Sequence, residues 1–358
     1  MKITTILLTA LLAAAAFARG DDGAAIKLFR LLDTAPDKNF VFSPYSALTA
    51  VQMAQMGAEG KTRAELDAAL GEVAEVRDLG DKISVANAAF VDFGAELKAD
   101  YSKQLGGKFA ASVEKLDFTK AEAARVFINA WVGEKTREKI TELLPPGILD
   151  SVPALVLVNA IYFKDSWKNE FKPSATRDAP FTTAGGGVRE VRMMQQVEAF
   201  RYAETNGVQI LAMPYANGGA MTLYLPLGND LAPALELLGA PADLRVRRVD
   251  VSLPKFKMEA NFSLVDAFKG LGIREAFLPT AEFDNIVEGG NLYISEIRHG
   301  VFVEVDERGT EAAAATAVIM PRGASISQPV KFTADRPFAF TISAADGTLL
   351  FAGAVREP

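Results

Sequence analysis

Few residues of this 358-residue chain have the types and spacing that catalysis needs. Residues 112–115 and 252–255 both fit the S-x-x-K pattern of acylating serine enzymes, but its companion motifs S-D-N and K-T-G are absent. Residues 55–62, QMGAEGKT, approach a phosphate-binding loop without its first glycine. His299 is the only histidine, so a metal site of several imidazoles is excluded and a serine hydrolase would have to use this one residue. We therefore expect no enzyme, no metal and no cofactor.

Residues 307–318, ERGTEAAAATAV, offer a different chemistry, the insertion of a strand into a sheet. Uncharged residues of one parity are Thr310, Ala312, Ala314, Thr316, Val318 and Met320. This side of an inserted strand can be buried, while Glu311 on the other side stays in solvent. The run follows an alternating segment, 301–305, and a β-rich segment resumes at 330. The alternative is an exposed helix, since alanine has the highest helix propensity.

The run resembles the reactive-loop hinge of the serpins, and ordered matches continue from about Asp22 to Pro358. The matching segments are 39–46 (NFVFSPYS), 57–62 (GAEGKT), 128–132 (INAWV), 143–147 (LLPPG), 158–164 (VNAIYFK) with Trp167 and Phe171, 253–256 (LPKF) and 351–355 (FAGAV). The resemblance implies an α+β fold with a large central mixed β-sheet, further sheets, surrounding helices and an exposed reactive loop at about residues 307–328.

The resemblance also implies a function, suicide-substrate inhibition of serine or, less often, cysteine proteases. The protease would cleave the reactive loop, and the freed hinge would enter the central sheet with the acyl-enzyme attached. The hinge residues are Glu307, Gly309, Thr310, Glu311, Ala312, Ala313, Ala314, Ala315 and Thr316. Because the hinge keeps small residues, we favour an inhibitor over a non-inhibitory serpin-fold binding or chaperone protein. An exported hydrolase that uses Ser46 or Ser252 is the weakest alternative.

Three positions compete for the scissile bond. Counting from Glu307 at the family's usual spacing places it after Gly323, a loop shorter by one residue places it after Arg322, and counting back from residues 331–332 indicates Ala324. Arg322 would select a trypsin-like protease, whereas Gly323 or Ala324 would suit elastase- or subtilisin-like enzymes with small pockets. We favour Arg322, although an arginine in a loop is often only a solvated side chain.

Two further clusters follow from the resemblance. A sheet-opening latch would consist of Ser43, Ser46, Asn159 and His299. A cluster at the top of the sheet, where the loop first inserts, would consist of Trp167, Lys255 and Glu307. An exposed ion pair such as Lys255 with Glu307 contributes only about 0–1 kcal/mol.

Composition limits the location and the partners. Residues 1–18 have Lys2, an apolar segment at 6–17 and an A-x-A site at 16–18, which predicts a signal peptide and export to the periplasm or the extracellular space. We expect one monomeric domain from 19 to 358, with 49% apolar residues and no cysteine. The net charge of −7 argues against nucleic acid. Residues 66–82 are acidic, which argues against heparin, and we expect no membrane insertion.

Local patterns predict the elements that position these residues. Residues 154–163 are apolar on both faces, which is typical of a central strand. A helix is expected over 121–143, ending before Pro145-Pro146-Gly147, and another over 261–271. Ala216-Asn217-Gly218-Gly219 predicts a hairpin turn between two strands.

Overall fold

The computed structural model describes residues 21–73, 83–151, 155–240, 242–289, 292–310 and 328–358. The α-helices in these ranges are α1 (Asp21–Leu32), α2 (Pro44–Gly57), α3 (Gly60–Leu70), α4 (Ala99–Phe109), α5 (Ala121–Lys135), α6 (Ala232–Glu236) and α7 (Val265–Gly270). The strands are β1 (Phe40–Phe42), β2 (Ile83–Asp92), β3 (Ser112–Leu116), β4 (Leu155–Phe163), β5 (Asp165–Ser166), β6 (Arg177–Thr182), β7 (Val188–Thr205), β8 (Val208–Pro214), β9 (Ala220–Pro226), β10 (Arg245–Pro254), β11 (Phe256–Ser263), β12 (Ile294–Val305), β13 (Gly309–Thr310), β14 (Val330–Thr333), β15 (Phe338–Ser343) and β16 (Leu349–Val355). None of the helices in these ranges is long and apolar enough to cross a membrane.

The described strands form two sheets. A seven-stranded sheet has the order β3-β2-β4-β12-β13-β5, with β11 on the other side of β12. A nine-stranded sheet has the order β1-β16-β15-β9-β8-β7-β10-β14, with β6 beside β7. Parallel and antiparallel pairs both occur in each sheet. The helices and these mixed sheets together make the α+β fold that the sequence predicts.

The seven-stranded sheet is covered on both faces. Every residue of β4 is buried, as its unbroken apolar sequence predicts. One face packs on α5 through residues such as Val158, Tyr162 and Phe302. The other face meets α2 through Leu157 and meets the nine-stranded sheet through Ile161. Any strand added within this sheet must therefore carry side chains that fit between packed layers.

Two helix predictions are wrong at their boundaries. Helix α5 ends at Lys135, well before Leu143, because Arg137 and Glu138 have left-handed φ angles of 53° and 60°. The Thr136 hydroxyl donates to the Val132 carbonyl at 2.8 Å and accepts from the Ile140 amide at 3.2 Å, which stabilises this turn. The second predicted helix begins only at Val265. Residues 261–263 extend β11 instead, because β12 supplies hydrogen-bonding partners along that strand.

The predicted hairpin turn at residues 216–219 is confirmed. It joins β8 to β9, which pair antiparallel from Val208 with Pro226 to Pro214 with Ala220. Gly218 has a φ of 93°, a conformation that glycine adopts without a steric cost.

Candidate functional site

The site begins where β4 and β12 lie side by side. These strands pair in parallel from Leu155 with Ile294 to Tyr162 with Phe302, and no strand separates them. Above this contact the chain turns back after β12, and the two-residue strand β13 lies between β12 and β5. It runs antiparallel to both neighbours. The hinge therefore occupies only the top of the sheet, directly above a closed seam between β4 and β12.

Close contacts explain the residue types of β13. A Cβ atom on Gly309 would lie 2.1 Å from the carbonyl oxygen of Asp165, so a larger residue would displace β5. Thr310 is fully buried, and its hydroxyl lies 2.7 Å from the hydroxyl of Tyr215. The ring of Tyr215 in turn stacks on Trp167, with a centroid distance of 4.6 Å and an interplanar angle of 7°. The first inserted side chain thus fits a pocket that is already formed.

The three residues predicted at the top of the sheet lie around this strand. Trp167 donates its indole N–H to the Asp306 carbonyl at 3.0 Å, and its backbone amide donates to the Arg308 carbonyl at 2.9 Å. The carboxylate of Glu307 accepts from Lys255 at 2.8 Å and from Thr176 at 2.9 Å.

The local balance of forces lowers the pKa of Glu307. Partial burial by itself would raise the pKa, but hydrogen bonds from Lys255, the backbone N–H of Glu307 and Thr176, together with the charge of Lys255, outweigh it. The side chain of Lys255 is 38% exposed and that of Glu307 13% exposed, so water screens the attraction between them. The pair therefore restrains the hinge only weakly.

The four predicted latch residues lie together below the hinge. Ser43 is the N-cap of α2, where its hydroxyl accepts from the Ser46 amide at 3.2 Å. The Ser46 hydroxyl donates to the Asn159 side-chain oxygen on β4. His299 on β12 is paired with Asn159 across the seam and contacts the same oxygen through Nδ1 at 2.8 Å. All four residues are fully buried. One helix terminus is thus joined to both strands that would separate.

His299 is neutral in this environment, because burial lowers its pKa to about 3. Nε2 accepts from the Ser43 backbone amide at 3.0 Å, so the ring proton is on Nδ1 and points to Asn159. The aromatic rings of Phe42 and Phe262 lie edge-on to the imidazole. The latch therefore consists of uncharged hydrogen-bonding groups in a water-excluded core.

Two residues of these clusters were missed by sequence reasoning. Asn87 on β2 accepts a hydrogen bond from the Asn159 amide and extends the latch to a third strand. A polar residue in the otherwise apolar segment 83–91 was the available signal. Tyr215 also escaped prediction, since nothing local distinguishes a tyrosine that caps Thr310 from any other strand tyrosine.

Several predicted residues lie outside the described ranges. These are the hinge residues Glu311, Ala312, Ala313, Ala314, Ala315 and Thr316 and the scissile-bond candidates Arg322, Gly323 and Ala324. Their roles stay predictions. Within the described ranges, no group of three or more histidine, aspartate or glutamate side chains is arranged to hold a metal ion.

A protein-family model described as "Serpin (serine protease inhibitor)" matches residues 21–358. The chain belongs to the serpin family. This serpin is 35% identical over 370 residues to the leukocyte elastase inhibitor of Sus scrofa, with 93% of this chain and 97% of that protein covered.

Solved serpin structures show the same fold. Serpin48 of the insect Tenebrio molitor matches with a TM-score of 0.84 at 30% identity, covering 95% of this chain and 96% of that one. Human thyroxine-binding globulin with its hormone matches with a TM-score of 0.81 at 26% identity, covering 95% and 97%. The family thus includes a protein that carries a small molecule, so membership alone does not establish protease inhibition.

Proposed function

We propose that this serpin is a suicide-substrate inhibitor of serine proteases that works by insertion of its cleaved reactive loop. The observation that carries the proposal is the position of β13. Gly309 and Thr310 already pair with both β5 and β12, while β4 and β12 remain in direct contact below them. A strand that continued downward from Thr310 would enter between β4 and β12.

Insertion would replace one parallel strand pair by two antiparallel pairs. An inserted strand keeps the direction of β13, which is antiparallel to β12 and to β5. Each inserted residue gains backbone hydrogen bonds on both sides, and antiparallel pairing is slightly more stable per residue than parallel pairing. The uncut loop is tethered at both ends and cannot insert fully, so the active state is metastable and its lifetime is set by a barrier.

The protease supplies the chemical step. Its serine attacks the scissile carbonyl and forms an ester with the new loop terminus, while the amine of the C-terminal fragment departs. Insertion then carries the acylated protease along the sheet and distorts its active site. Water can no longer complete deacylation, because oxyanion-hole donors that are out of place cost about 10²–10³ in rate each.

The protease class depends on the residue before the scissile bond. Arg322 would require a trypsin-like enzyme, and Gly323 or Ala324 an elastase- or subtilisin-like enzyme. A leukocyte elastase inhibitor among the relatives is compatible with the small-residue alternatives. We extend the proposal to export of a monomer after removal of residues 1–18.

The first experiment incubates the mature protein with trypsin, elastase and subtilisin separately. Denaturing gels detect a covalent complex, and mass spectrometry of the released C-terminal peptide identifies its first residue. We expect one complex that resists denaturation and a peptide that begins at Gly323, Ala324 or Ser325. Loop cleavage by all three proteases without any complex would refute the inhibitory mechanism.

Thr310→Arg tests insertion itself. The site of Thr310 is fully buried beside Tyr215, so an unpaired guanidinium would cost several kcal/mol to insert. We expect this variant to be cleaved at the normal bond and to release active protease. Thr205→Arg, the same change at an exposed position at the end of β7, is the matched control and should form as much complex as the unmodified protein. Equal complex yields from the two variants would contradict the insertion model.

The second candidate function is non-inhibitory binding, which the similarity to thyroxine-binding globulin favours. Heat stability separates the two functions. An inhibitor whose loop inserts should unfold at a much higher temperature after loop cleavage, whereas a carrier without insertion should show no gain.

A further inference from the structure

A cluster of arginines on the nine-stranded sheet has no part in the proposed trap. Residues 245–248, RVRR, begin β10, and all four are exposed. Arg245 forms a salt bridge with Asp243 at 2.9 Å. Across the residues that the structure describes, Arg247 and Arg248 form no salt bridge, and neither does Arg201 on the adjacent strand β7.

The arginines lie along a free edge of the sheet. Strand β14 pairs with β10 only from Val249 to Ser252, so residues 245–248 extend past it. Lys331 on β14 is exposed and is paired with Asp250. We use the term basic edge for the four cations Arg201, Arg247, Arg248 and Lys331.

The basic edge lies next to the C-terminal end of the reactive loop. Strands β14 and β10 are parallel, and Val330 is paired with Val249. The chain that leads into Val330 therefore approaches from the side of Arg247 and Arg248. Gln328 and Pro329, the last two residues of this approach, are partly or fully exposed. A protease bound at the loop must meet this side of the molecule.

We propose that the basic edge is a second contact surface for the target protease and that it binds an acidic region of that protease beside its active-site cleft. A stable protein interface covers about 800 Å² on each partner, so contact extends beyond the cleaved peptide itself. Complementary charges at the rim of such an interface mainly raise the association rate. The proposal rests on the proposed function only in requiring that the loop is presented to a protease.

The composition of the edge favours a protein partner over a sulfated polysaccharide. Val246, 69% exposed, lies among the arginines and is paired with Arg201. Asp243, Glu198 and Asp250 lie along or beside the same strands and reduce the positive potential. The whole chain has a net charge of −7, which repels a polyanion at long range. Short-range pairs with individual carboxylates, combined with one apolar contact, suit an acidic protein surface.

The test measures association with a protease whose active-site serine is replaced by alanine, so that no trapping is needed. Elastase, trypsin and subtilisin of this kind are each used with native lysines and after succinylation of the lysines, which makes the same fold acidic. We compare the unmodified serpin with the double variant Arg247→Glu, Arg248→Glu at 50 mM and 500 mM NaCl. We expect the double variant to bind the succinylated proteases about tenfold more slowly at low salt, with most of the difference lost at high salt.

Lys103→Glu, Lys108→Glu is the matched control. Both lysines are exposed on α4, and the change in net charge is the same. Charged side chains on a free edge also discourage strand pairing between molecules, but glutamates preserve that protection, so only the sign of the charge is tested. Equal rates for the two double variants with every protease would overturn the proposal. A difference that appears only after heparin is added would assign the edge to a polyanion and would also overturn it.

The two proposals fail in distinguishable ways. Loss of covalent complex with normal association would refute the trap and leave the basic edge supported. Normal complex yield with association rates that do not depend on Arg247 and Arg248 would refute the basic edge alone.

Discussion

The latch and the top of the sheet restrain the same movement by different physics. The latch joins α2, β4 and β12 through neutral groups that are fully buried. At the top, an ion pair between Lys255 and Glu307, partly open to water, lies over the two-residue strand β13. Buried hydrogen bonds are costly to break without replacement, whereas an exposed pair is cheap to lose. The hinge can therefore move at its upper end while the seam below stays closed.

Asn159→Leu is the strongest way to break this comparison. The change leaves His299 Nδ1, the Ser46 hydroxyl and the Asn87 oxygen without their partner in a dry core. We expect the free energy of unfolding to fall by about 3 kcal/mol or more, since each unsatisfied buried group costs about 1–3 kcal/mol. Hydrogen exchange of the β4 and β12 amides should also become faster.

Asn129→Leu is the control for that variant. Asn129 on α5 is also buried and makes two hydrogen bonds, one donated to the Leu144 carbonyl at 3.0 Å and one accepted from the Leu144 amide at 2.8 Å. It should lower stability without selectively exposing the β4 and β12 amides. Identical exchange patterns in the two variants would mean that Asn159 is an ordinary buried asparagine.

Acid tests the latch more mildly. His299 has a folded-state pKa of about 3, below the value of about 6.5 for an unfolded histidine, so only the unfolded state takes up a proton between these values. Its contribution to stability is complete above pH 6.5 and decreases as the pH falls toward 3. We expect a loss of about 2 kcal/mol by pH 5.

His299→Gln should remove this pH dependence, because no other histidine titrates in the chain. Urea unfolding at pH 7.5 and pH 5 measures it for both proteins. If the variant and the unmodified protein lose equal stability between these pH values, protonation of the latch is not the cause.

Breaking the ion pair at the top should have the smallest effect. A double-mutant cycle with Lys255→Met and Glu307→Gln should give a coupling free energy of about 0–1 kcal/mol that decreases in 0.5 M NaCl. The pKa of Glu307 is lowered, so its contribution is present above the ordinary carboxylate range and is lost as the pH falls through the lowered pKa. A coupling as large as the effect of Asn159→Leu would make the top, and not the latch, the main restraint.

The sequence by itself determined much of this protein. Unbroken apolar residues identified β4 as a buried strand, and the turn at 216–219 identified the β8–β9 hairpin. Ordered motifs along the whole length indicated the serpin fold. Such features depend on local periodicity or on residue identity, which are readable without knowing what lies across the sheet.

Tertiary structure alone decided how distant residues meet. Asn87 joins the latch because β2 pairs with β4 in the register that sets it opposite Asn159. Tyr215 reaches Thr310 from a different sheet. The basic edge exists because β14 stops short of Arg248. Partners of this kind depend on strand register and on sheet packing, and a shift of one residue would turn each side chain to the opposite face, so no local pattern encodes them.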